Sequence, residues 1–541
     1  MIKKLLFHLI ILLALNLSFG QNTMGTILIT EDAYEGYTLF STHTKAYLID
    51  NCGREINSWS SSYVPGNAVY LMPNGNLLRA GRLVQSPDPV ALGGAGGVIE
   101  MFDWDGNIIW TWTDSSDTSR AHHDVFPLPN GNVLILAATV VDGADAIQAG
   151  RDPNLLTDNQ LYNERIYEVE PVGATGGNIV WEWNVMDHVI QNIDASKDNF
   201  GIVEDNPGKI DINFLNGFDP INNWLHFNAI QYYEEFDQIV ISSRRMSEVW
   251  VIDHNTTISE AAGPAGDILY RWGNPQAYGQ GTEMDRKLYG QHTPYYIPTG
   301  LPNEGKLMIF NNGFQRTPEY SQVDIIEPPV DVNGNYTYIA DTAYGPTDTF
   351  YTFPGTPPTE PSDFYSAIVS SARQLPNGNI LICEGREAHF FEIDSNENVV
   401  WEYISPISNA DGTVYEQGEP SPPNNFSFRA TKFSPDYPAF IGRDLTPGDP
   451  LEANPDLTPC NNLGVSEFEN SIVSLYPNPT KDRIQINSTT VIDRVEIYNM
   501  MGSKIGETSS KTIDLSNNSD GVYFLKIYSD TNMVSKKVIK G

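Results

Sequence analysis

The stretch QLPNGNILICEG (374–385) occurs three times in this chain in closely similar form. The other two copies are LMPNGNLLRAG (71–81) and PLPNGNVLILA (127–137). Each copy places Asn-Gly between two apolar runs, which is a strong signal for a tight hairpin because both residues tolerate a positive φ. The repeat therefore predicts a chain built from similar antiparallel hairpins.

A second motif accompanies the hairpin: a turn followed by an alternating strand with aromatic residues. It appears six times, as INSW (56–59), DGNIIWTW (105–112), GGNIVWEW (176–183), GDILYRW (266–272), NGNYTYIA (333–340) and NENVVWEY (396–403). Short strands, hairpin turns and six aromatic strands predict an all-β fold with a six-bladed β-propeller. A large irregular β-sandwich is the alternative. Because INSW precedes the first complete blade, we expect it to close the ring by joining the last blade.

The composition limits the kinds of partner. The chain has 541 residues, of which 68 are acidic and 32 are basic, for a formal charge of −36. Nucleic acids and anionic membrane surfaces attract positively charged proteins, so neither is expected to bind. An anionic substrate would need a local cluster of positive or hydrogen-bond-donating groups.

The N-terminal segment has the composition of an export signal. Two lysines precede the apolar run of MIKKLLFHLIILLALNLSFGQN, which predicts a signal peptide at 1–20, and no other stretch is long enough to span a bilayer. The mature protein is thus expected to be exported and soluble. The domains that follow are a propeller at 21–442, a Pro/Asn/Asp-rich linker at 443–472 and a further domain at 473–541.

Three cysteines fit an exported protein. In oxidising surroundings one disulfide can form, and Cys52 and Cys460 both lie in turn-like sequence. Cys383 lies in an apolar strand and is expected to be buried. Three isolated cysteines do not suggest a zinc site.

The C-terminal segment resembles a known sorting signal. The matching motifs are YPNPT (476–480), VEIYNMMG (495–502), GVYFLKI (521–527) and the terminal KKVIKG. They resemble the C-terminal sorting domain of the type IX secretion route, a small β-sandwich read by the export machinery. The resemblance implies the type IX secretion machinery as a partner and a secreted or cell-surface location. An ordinary adhesion-like sandwich is the alternative.

Three histidines lie in separate repeats: His226, His292 and His389, with Arg316 following the second. A propeller brings equivalent parts of its repeats to one central channel. Three imidazoles and a guanidinium would form a donor-rich pocket suited to a small tetrahedral oxyanion. For His389, which alternates with apolar residues in GREAHFFEID (385–394), a buried core histidine is the alternative.

Residues 40–440 resemble the bacterial arylsulfate sulfotransferase family. The motifs that carry the resemblance are HFNAI, ISSR, QHTPYY, FNNGFQR, FYSAIVSSARQLPNGN, AHFF and FRATKFSP, in that order. The family is a six-bladed propeller that moves a sulfuryl group from a phenolic sulfate to a phenolic acceptor through a sulfohistidine, without a nucleotide donor or other cofactor. The resemblance implies His389 as the nucleophile, His226 and His292 as sulfate contacts, and Arg316 as the catalytic arginine.

Other residues are weaker candidates. His123, in RAHHDVF, suggests a substrate-mouth or structural role; paired histidines can bind metal, but no third ligand is evident, so no metal is predicted. Asn228 shares a strand face with His226 and could bind substrate. Arg244 could contact sulfate or form a salt bridge within its blade. The segment GGAGG (93–97) lacks the following helix of a phosphate loop and is interpreted as a flexible turn.

Two other functions compete with phenol sulfation. One is a non-catalytic extracellular propeller that binds aromatic or anionic ligands, because propellers host many functions. The other is hydrolysis of aryl sulfates, with water as the acceptor.

Overall fold

The computed structural model describes residues 22–86, 88, 90–463, 473–488, 492–499, 504–519, 521–529 and 532–541. The predicted signal peptide lies outside these residues. The chain divides into two compact units, one ending at Pro459 and the other running from Cys460 to Gly541. Within the described residues, no helix is long and apolar enough to cross a membrane.

The first unit contains six antiparallel sheets, which we number as blades. Blade 1 consists of β2 (Tyr37–Thr42), β3 (Lys45–Ile49), β4 (Glu55–Ser60) and β27 (Thr431–Phe433). Blade 2 consists of β5 (Pro65–Leu71), β6 (Leu77–Arg82), β7 (Gly97–Phe102) and β8 (Ile108–Thr113). Blade 3 consists of β9 (Ser119–Pro127), β10 (Val133–Asp142), β11 (Gln160–Val172) and β12 (Gly176–Asn184).

The remaining blades follow in chain order. Blade 4 consists of β15 (Phe227–Tyr233), β16 (Gln238–Ser243), β17 (Glu248–Asp253) and β18 (Tyr270–Trp272). Blade 5 consists of β19 (His292–Tyr296), β20 (Leu307–Asn311), β21 (Gln322–Ile326) and β22 (Tyr351–Phe353). Blade 6 consists of β23 (Ser371–Gln374), β24 (Ile380–Glu384), β25 (His389–Ile393) and β26 (Val399–Ile404), with β1 (Gly25–Ile29) as a fifth strand. Outside the blades lie β13 (Val189–Ile190), β14 (Ile210–Asp211) and the helices α1 (Gly143–Gln148), α2 (Ile258–Ala261) and α3 (Thr458–Leu463).

The blades close into a ring. Six buried hydrophobic clusters each combine residues from two neighbouring blades, such as Trp183 with Trp250 between blades 3 and 4. The cluster that joins Phe40 to Phe390 packs blade 6 against blade 1. Since every blade buries both of its faces against a neighbour, the predicted six-bladed propeller is confirmed.

Five of the six aromatic markers lie on the fourth strands of their blades, β4, β8, β12, β18 and β26. In five blades a tryptophan of the outer strand donates its indole N–H to a backbone carbonyl of the next blade, over 2.7 to 2.9 Å. These residues are Trp59, Trp110, Trp183, Trp272 and Trp401. The repeated aromatic residue thus fastens each blade to its neighbour as well as filling the core.

Two details of the predicted repeat are wrong. The segment 333–340 is a turn and loop with one isolated bridge, and the outer strand of blade 5 is β22, which contains no tryptophan. INSW lies in β4, the outer strand of blade 1, and does not join the last blade. The ring is closed instead by β27, which pairs with β2, and by β1, which pairs with β26.

The second unit holds two sheets around its own core. One contains β28 (Val473–Tyr476), β29 (Arg483–Ser488) and β32 (Thr512–Asp514); the other contains β30 (Arg494–Asn499), β31 (Lys504–Thr508), β33 (Gly521–Ser529) and β34 (Asn532–Lys540). Buried residues from both sheets, including Ile484, Val495 and Leu525, form one cluster. This is the small β-sandwich predicted for the C-terminal segment.

The start of the predicted linker packs on the first unit. The N–H of Gly448 donates to the carbonyl of Glu55 over 2.8 Å, and that of Ala453 donates to the carbonyl of Tyr415 over 3.0 Å. These backbone hydrogen bonds explain why residues 443–459 belong to the propeller unit. Among the cysteines, Cys383 is buried and free, as predicted, whereas Cys52 and Cys460 are disulfide-bonded.

Candidate active site

The first strands of the blades line the ring axis, and they share a distortion near their starts. Strands β5, β9, β15 and β19 each contact the next first strand in the ring and each contain a break in register. Non-glycine residues at these positions adopt left-handed φ values of +47° to +91°. They are Asn67, His123, His226, Thr293 and Ser370. Left-handed backbone costs on the order of 1–2 kcal/mol for such residues, and repeated strain of this kind is typical of functional sites.

The distorted positions bring three histidines together. The ring of His123 lies 4.9 Å from that of His226 between centroids, and 5.1 Å from that of His122. The charge of Arg244 acts on His123, His226 and His292 alike. We call His123, His226, His292 and Arg244 the histidine cluster; its members come from blades 3, 4 and 5.

Arg244 has no acidic partner within the described residues. It takes part in none of their ion pairs, and its Nε is buried without a hydrogen-bond partner. Its guanidinium lies 4.7 Å from the centroid of the Phe314 ring. Burial, followed by the nearby charge of Arg245, lowers the pKa of Arg244 to about 10, so it remains charged at neutral pH. A partly buried guanidinium that donates only to the Ala367 carbonyl, over 3.5 Å, and has no acidic partner among the described residues can bind an anion in this protein of charge −36.

The imidazoles of the cluster are neutral. Burial, followed by neighbouring positive groups, lowers the pKa values of His123 and His226 well below the ordinary value. Burial, followed by the charge of Arg244, lowers the pKa of His292 to about 3. Neutral imidazoles can use a lone pair as a nucleophile or base and can donate an N–H to an anion.

Two asparagines fix which nitrogen carries the proton. The Asn223 amide oxygen accepts the backbone N–H of His226, so its NH₂ group donates to Nδ1 of that ring over 3.0 Å. The proton of His226 therefore lies on Nε2. The Asn312 amide donates to the carbonyls of Ser366 and Val369, so its oxygen accepts the Nδ1–H of His292 over 2.7 Å.

The two rings consequently have opposite chemistry at Nε2. His226 presents an N–H donor there, whereas His292 presents a lone pair, which accepts the backbone N–H of Val369 over 3.1 Å. A donor and a potential nucleophile therefore lie in one cluster, together with a guanidinium that has no acidic partner among the described residues.

Glycines cover one side of the cluster. A side chain at Gly94, where φ is +67°, would place its Cβ 2.3 Å from the ring of His123, and one at Gly93 would lie 2.9 Å from the ring of His226. The predicted flexible turn 93–97 is thus a close-packed cover. A cavity of about 350 Å³ adjoins it, lined by Asn67, Arg82, Gly94, Asn409 and Phe426 among others. Its size suits a small aromatic ligand.

Residues 113–416, more than half of the chain, match the arylsulfotransferase (ASST) family. The chain belongs to the arylsulfotransferase family. Residues 474–541 match the secretion system C-terminal sorting domain, which indicates export to the cell surface or the medium and the type IX machinery as a partner. No curated protein matches this arylsulfotransferase-family chain.

Solved structures with similar backbones are distant. The periplasmic gluconolactonase of Pseudomonas aeruginosa is 8% identical, with a TM-score of 0.33, and the match covers 77% of this chain and 98% of that one. A putative 6-phosphogluconolactonase from Bacteroides fragilis is 9% identical, with a TM-score of 0.34 and coverage of 75% and 99%. A streptogramin B lyase is 13% identical, with a TM-score of 0.32 and coverage of 76% and 95%.

His389, the nucleophile implied by the sequence resemblance, lies outside the histidine cluster. It is on β25, the third strand from the axis, roughly 10 Å from the first strand at the usual spacing. Its Nδ1 contacts Glu384 over 2.8 Å and its Nε2 contacts Glu402 over 3.0 Å. Although burial lowers its pKa, the hydrogen bonds that the ring donates to these carboxylates raise it to about 9. A protonated ring has no lone pair to attack sulfur, and the ring lies outside the histidine cluster; His389 as the nucleophile stays a prediction.

Arg316 also interacts with residues close to it in the sequence. Its guanidinium stacks 3.6 Å from the centroid of the Tyr320 ring and donates to the Tyr320 carbonyl and to Gln322. Arg244, and not Arg316, is among the charges with the largest effects on the three histidines. Arg316 as the catalytic arginine stays a prediction.

Asn228 connects blade 4 to blade 5 beside the cluster through a hydrogen bond. Its amide NH₂ donates over 2.8 Å to the carbonyl of Gln291, the residue before His292, while its Oδ1 is buried without a partner in the described part of the chain. The side chain therefore links β15 to the start of β19. Among the described residues, no group of three or more His, Cys, Asp or Glu side chains could hold a metal ion.

Proposed function

We propose that the protein is an exported arylsulfate sulfotransferase that transfers a sulfuryl group from a phenolic sulfate to a phenol through a sulfohistidine at His292. The carrying observation is that Arg244, which has no acidic partner among the described residues, lies beside neutral imidazoles of opposite Nε2 chemistry. Membership of the arylsulfotransferase family and the C-terminal sorting domain support the same conclusion. No cofactor takes part in the steps below.

In the first half-reaction, the sulfuryl oxygens of the donor bind to the Arg244 fork and to the Nε2–H of His226. The Nε2 lone pair of His292 leaves the Val369 N–H and attacks sulfur, while the bond from sulfur to the aryl oxygen breaks. Asn312 holds the opposite ring nitrogen and stabilises the positive charge that develops on the ring. The aryl oxygen leaves with the electron pair of the broken bond, as a phenolate that must then gain a proton.

In the second half-reaction, the oxygen of an acceptor phenol attacks the same sulfur. The bond from sulfur to His292 breaks and its electron pair returns to the imidazole. Arg244 and His226 hold the sulfuryl oxygens through both steps, so one site serves both substrates in turn. This order predicts ping-pong kinetics.

The test is release of nitrophenolate from 4-nitrophenyl sulfate by the purified mature protein, with and without phenol. We expect phenol to accelerate release in the wild type and His292→Ala to abolish it. His389→Ala is the matched control, because it removes a partly buried histidine of the same propeller outside the cluster, and should retain turnover. Peptide mapping after incubation with donor alone should find the sulfuryl group on His292.

Two results would overturn the assignment. If His292→Ala turns over donor at the wild-type rate, His292 is not the nucleophile. If His389→Ala is inactive yet folded, the outer histidine has the role implied by the sequence resemblance. Equal rates with and without phenol would instead show hydrolysis.

A further inference from the structure

A chain of three buried side chains leads away from the histidine cluster. Nε2 of His122 lies 2.9 Å from Oε2 of Glu164, and Nδ1 of His122 lies 2.8 Å from Nδ1 of His123. All three residues are at most 3% exposed. The other carboxylate oxygen of Glu164 accepts the backbone N–H of Phe227 over 2.9 Å, which fixes the carboxylate beside the residue that follows His226.

The chain of hydrogen-bonded side chains ends at Nε2 of His123. This nitrogen makes no hydrogen bond among the described residues, although the ring lies against His226 and Gly94. The transfer mechanism needs a group at this place, because the phenol must gain a proton when it leaves and lose one when it attacks. Neither His226 nor His292 is suited to this exchange, since both are committed to sulfuryl oxygens or sulfur.

We propose, on the basis of the sulfuryl transfer described above, that Glu164, His122 and His123 form a proton relay that stores the phenol proton between the two half-reactions. His123 is the catalytic residue that touches the phenol oxygen. His122 and Glu164 are positioning residues that act through it.

The relay has two states that differ by one proton. In the empty state His122 donates its Nε2–H to Glu164 and accepts the Nδ1–H of His123, so Nε2 of His123 carries a lone pair. In the loaded state His122 is protonated on both nitrogens, and His123 carries its only proton on Nε2. The extra positive charge then lies on His122, next to the Glu164 carboxylate.

The proton balances over one cycle. When the sulfur–oxygen bond of the donor breaks, the departing oxygen takes the Nε2 proton of His123, and Nδ1 of His123 takes a proton from His122. When the acceptor attacks, its hydroxyl proton passes to Nε2 of His123 and the Nδ1 proton returns to His122. The protein gains no proton overall.

Electrostatics explain why His123 needs the other two residues. An isolated imidazolium at this position would face Arg244 and the rings of His226 and His292, and burial together with these neighbours holds the pKa of His123 well below its ordinary value. The relay moves the stored charge one ring further from Arg244, to a site where a carboxylate offsets it.

Glu164→Gln reverses the relay without changing its shape. The amide oxygen can still accept the Phe227 N–H, so the NH₂ group must donate to Nε2 of His122. His122 then donates from Nδ1 to His123, which is left with a proton on Nε2 and cannot act as a base. The acceptor half-reaction should slow by on the order of 10²-fold or more, the size of a general acid–base contribution.

The experiment compares the wild type, Glu164→Gln and a matched control, Glu168→Gln. Glu168 lies on the same strand, β11, and pairs with His254 over 3.0 Å away from the cluster. With 4-nitrophenyl sulfate alone, whose acidic phenol leaves without help, all three proteins should release one equivalent rapidly. With phenol added, only Glu164→Gln should turn over slowly, and its rate should rise with pH as the acceptor ionises towards its pKa of about 10.

The outcomes separate the relay from the proposed function. A wild type without an initial release or phenol-dependent turnover contradicts the transfer mechanism itself. Phenol turnover in Glu164→Gln at the wild-type rate and with the wild-type pH profile overturns the relay. If that variant does not fold, His122→Asn decides: it keeps a donor to Glu164 but breaks the contact with His123, and it should likewise keep the initial release and lose phenol turnover.

Discussion

At the scale of single residues, Arg244 decides how the site holds sulfate. Lysine at this position keeps the charge but loses the planar fork, so we expect Arg244→Lys to lower kcat/KM for aryl sulfates by on the order of 10²-fold or more. Steady-state kinetics with 4-nitrophenyl sulfate measure this. Arg245→Lys is the control, because Arg245 stacks 4.4 Å from Phe218 and donates to the Asp219 carbonyl instead. Equal losses in both variants would argue against a specific sulfate contact.

Gly94 tests the cover over the cluster. Gly94→Ala adds both left-handed strain and a clash with the ring of His123, so the variant should lose most sulfuryl transfer. Gly106→Ala adds strain alone, because φ is +84° and nothing lies within 4 Å. The control should lose about 1 kcal/mol of unfolding free energy and keep its activity. Activity assays and urea unfolding of both proteins separate the two effects.

The sequence named all three histidines of the cluster, but His389, the nucleophile that the resemblance implies, lies outside the cluster for a geometric reason. The first strand of each blade precedes the hairpin turn, and His123 lies six residues before the proline of PNGN (129–132). His389 follows its own copy, PNGN (376–379), by ten residues, which puts it on the third strand. The number of residues from the hairpin turn therefore distinguishes a first-strand residue such as His123 from a third-strand residue such as His389. The tautomers set by Asn223 and Asn312, and the contact of Glu164 with His122 within blade 3, depend on side-chain distances that no local pattern encodes.

At the scale of elements, the marker strands are predictable because in five blades a tryptophan forms the same hydrogen bond to the next blade. In blade 5 the prediction is wrong, because β22 carries no tryptophan and the aromatic run at 333–340 resembles a marker strand in sequence alone. Ring closure was also misread, since the pairing of β1 with β26 joins strands nearly 400 positions apart and leaves no local signal.

His389 clips β24, β25 and β26 together, and this contact gives a prediction for stability. Against the effect of burial, Glu384 and Glu402 raise its folded-state pKa to about 9, above the unfolded value of about 6.5. The folded state then binds more protons between these values, so the stabilisation is complete below pH 6.5 and is lost as the pH rises through 9. At about 1.4 kcal/mol per pKa unit, it amounts to at most about 3 kcal/mol.

Urea unfolding at pH 6 and pH 9.5 measures this contribution. The wild type should lose more unfolding free energy over this interval than His389→Gln, which cannot gain the proton. His254, whose pKa is also raised against burial by Glu168 and Asp237, is present in both proteins and cancels in the difference. The same pH dependence in both proteins would show that His389 is neutral in the folded state.

At the scale of the whole molecule, the sorting domain and the propeller are separate compact units with separate cores. A chain that ends at residue 472 retains Cys460 and every blade. We therefore expect it to keep the unfolding temperature and sulfuryl transfer of the propeller in vitro. In a host with type IX secretion it should accumulate in the periplasm, which cell fractionation measures. Normal surface delivery would contradict the role of residues 474–541 as the sorting signal.

The net charge of −36 repels the anionic donor but not the neutral acceptor. An aryl sulfate is an anion and must approach a negatively charged protein to reach Arg244, whereas a phenol is neutral below its pKa of about 10. Raising the ionic strength from 0.01 to 0.1 M shortens the screening length from about 30 to about 10 Å, so kcat/KM for the donor should rise with salt while that for phenol stays constant. Stopped-flow measurements of each half-reaction across this range test the idea. A donor rate that falls with salt would mean that the field of the histidine cluster, extending beyond its cover, outweighs the charge of the surrounding surface.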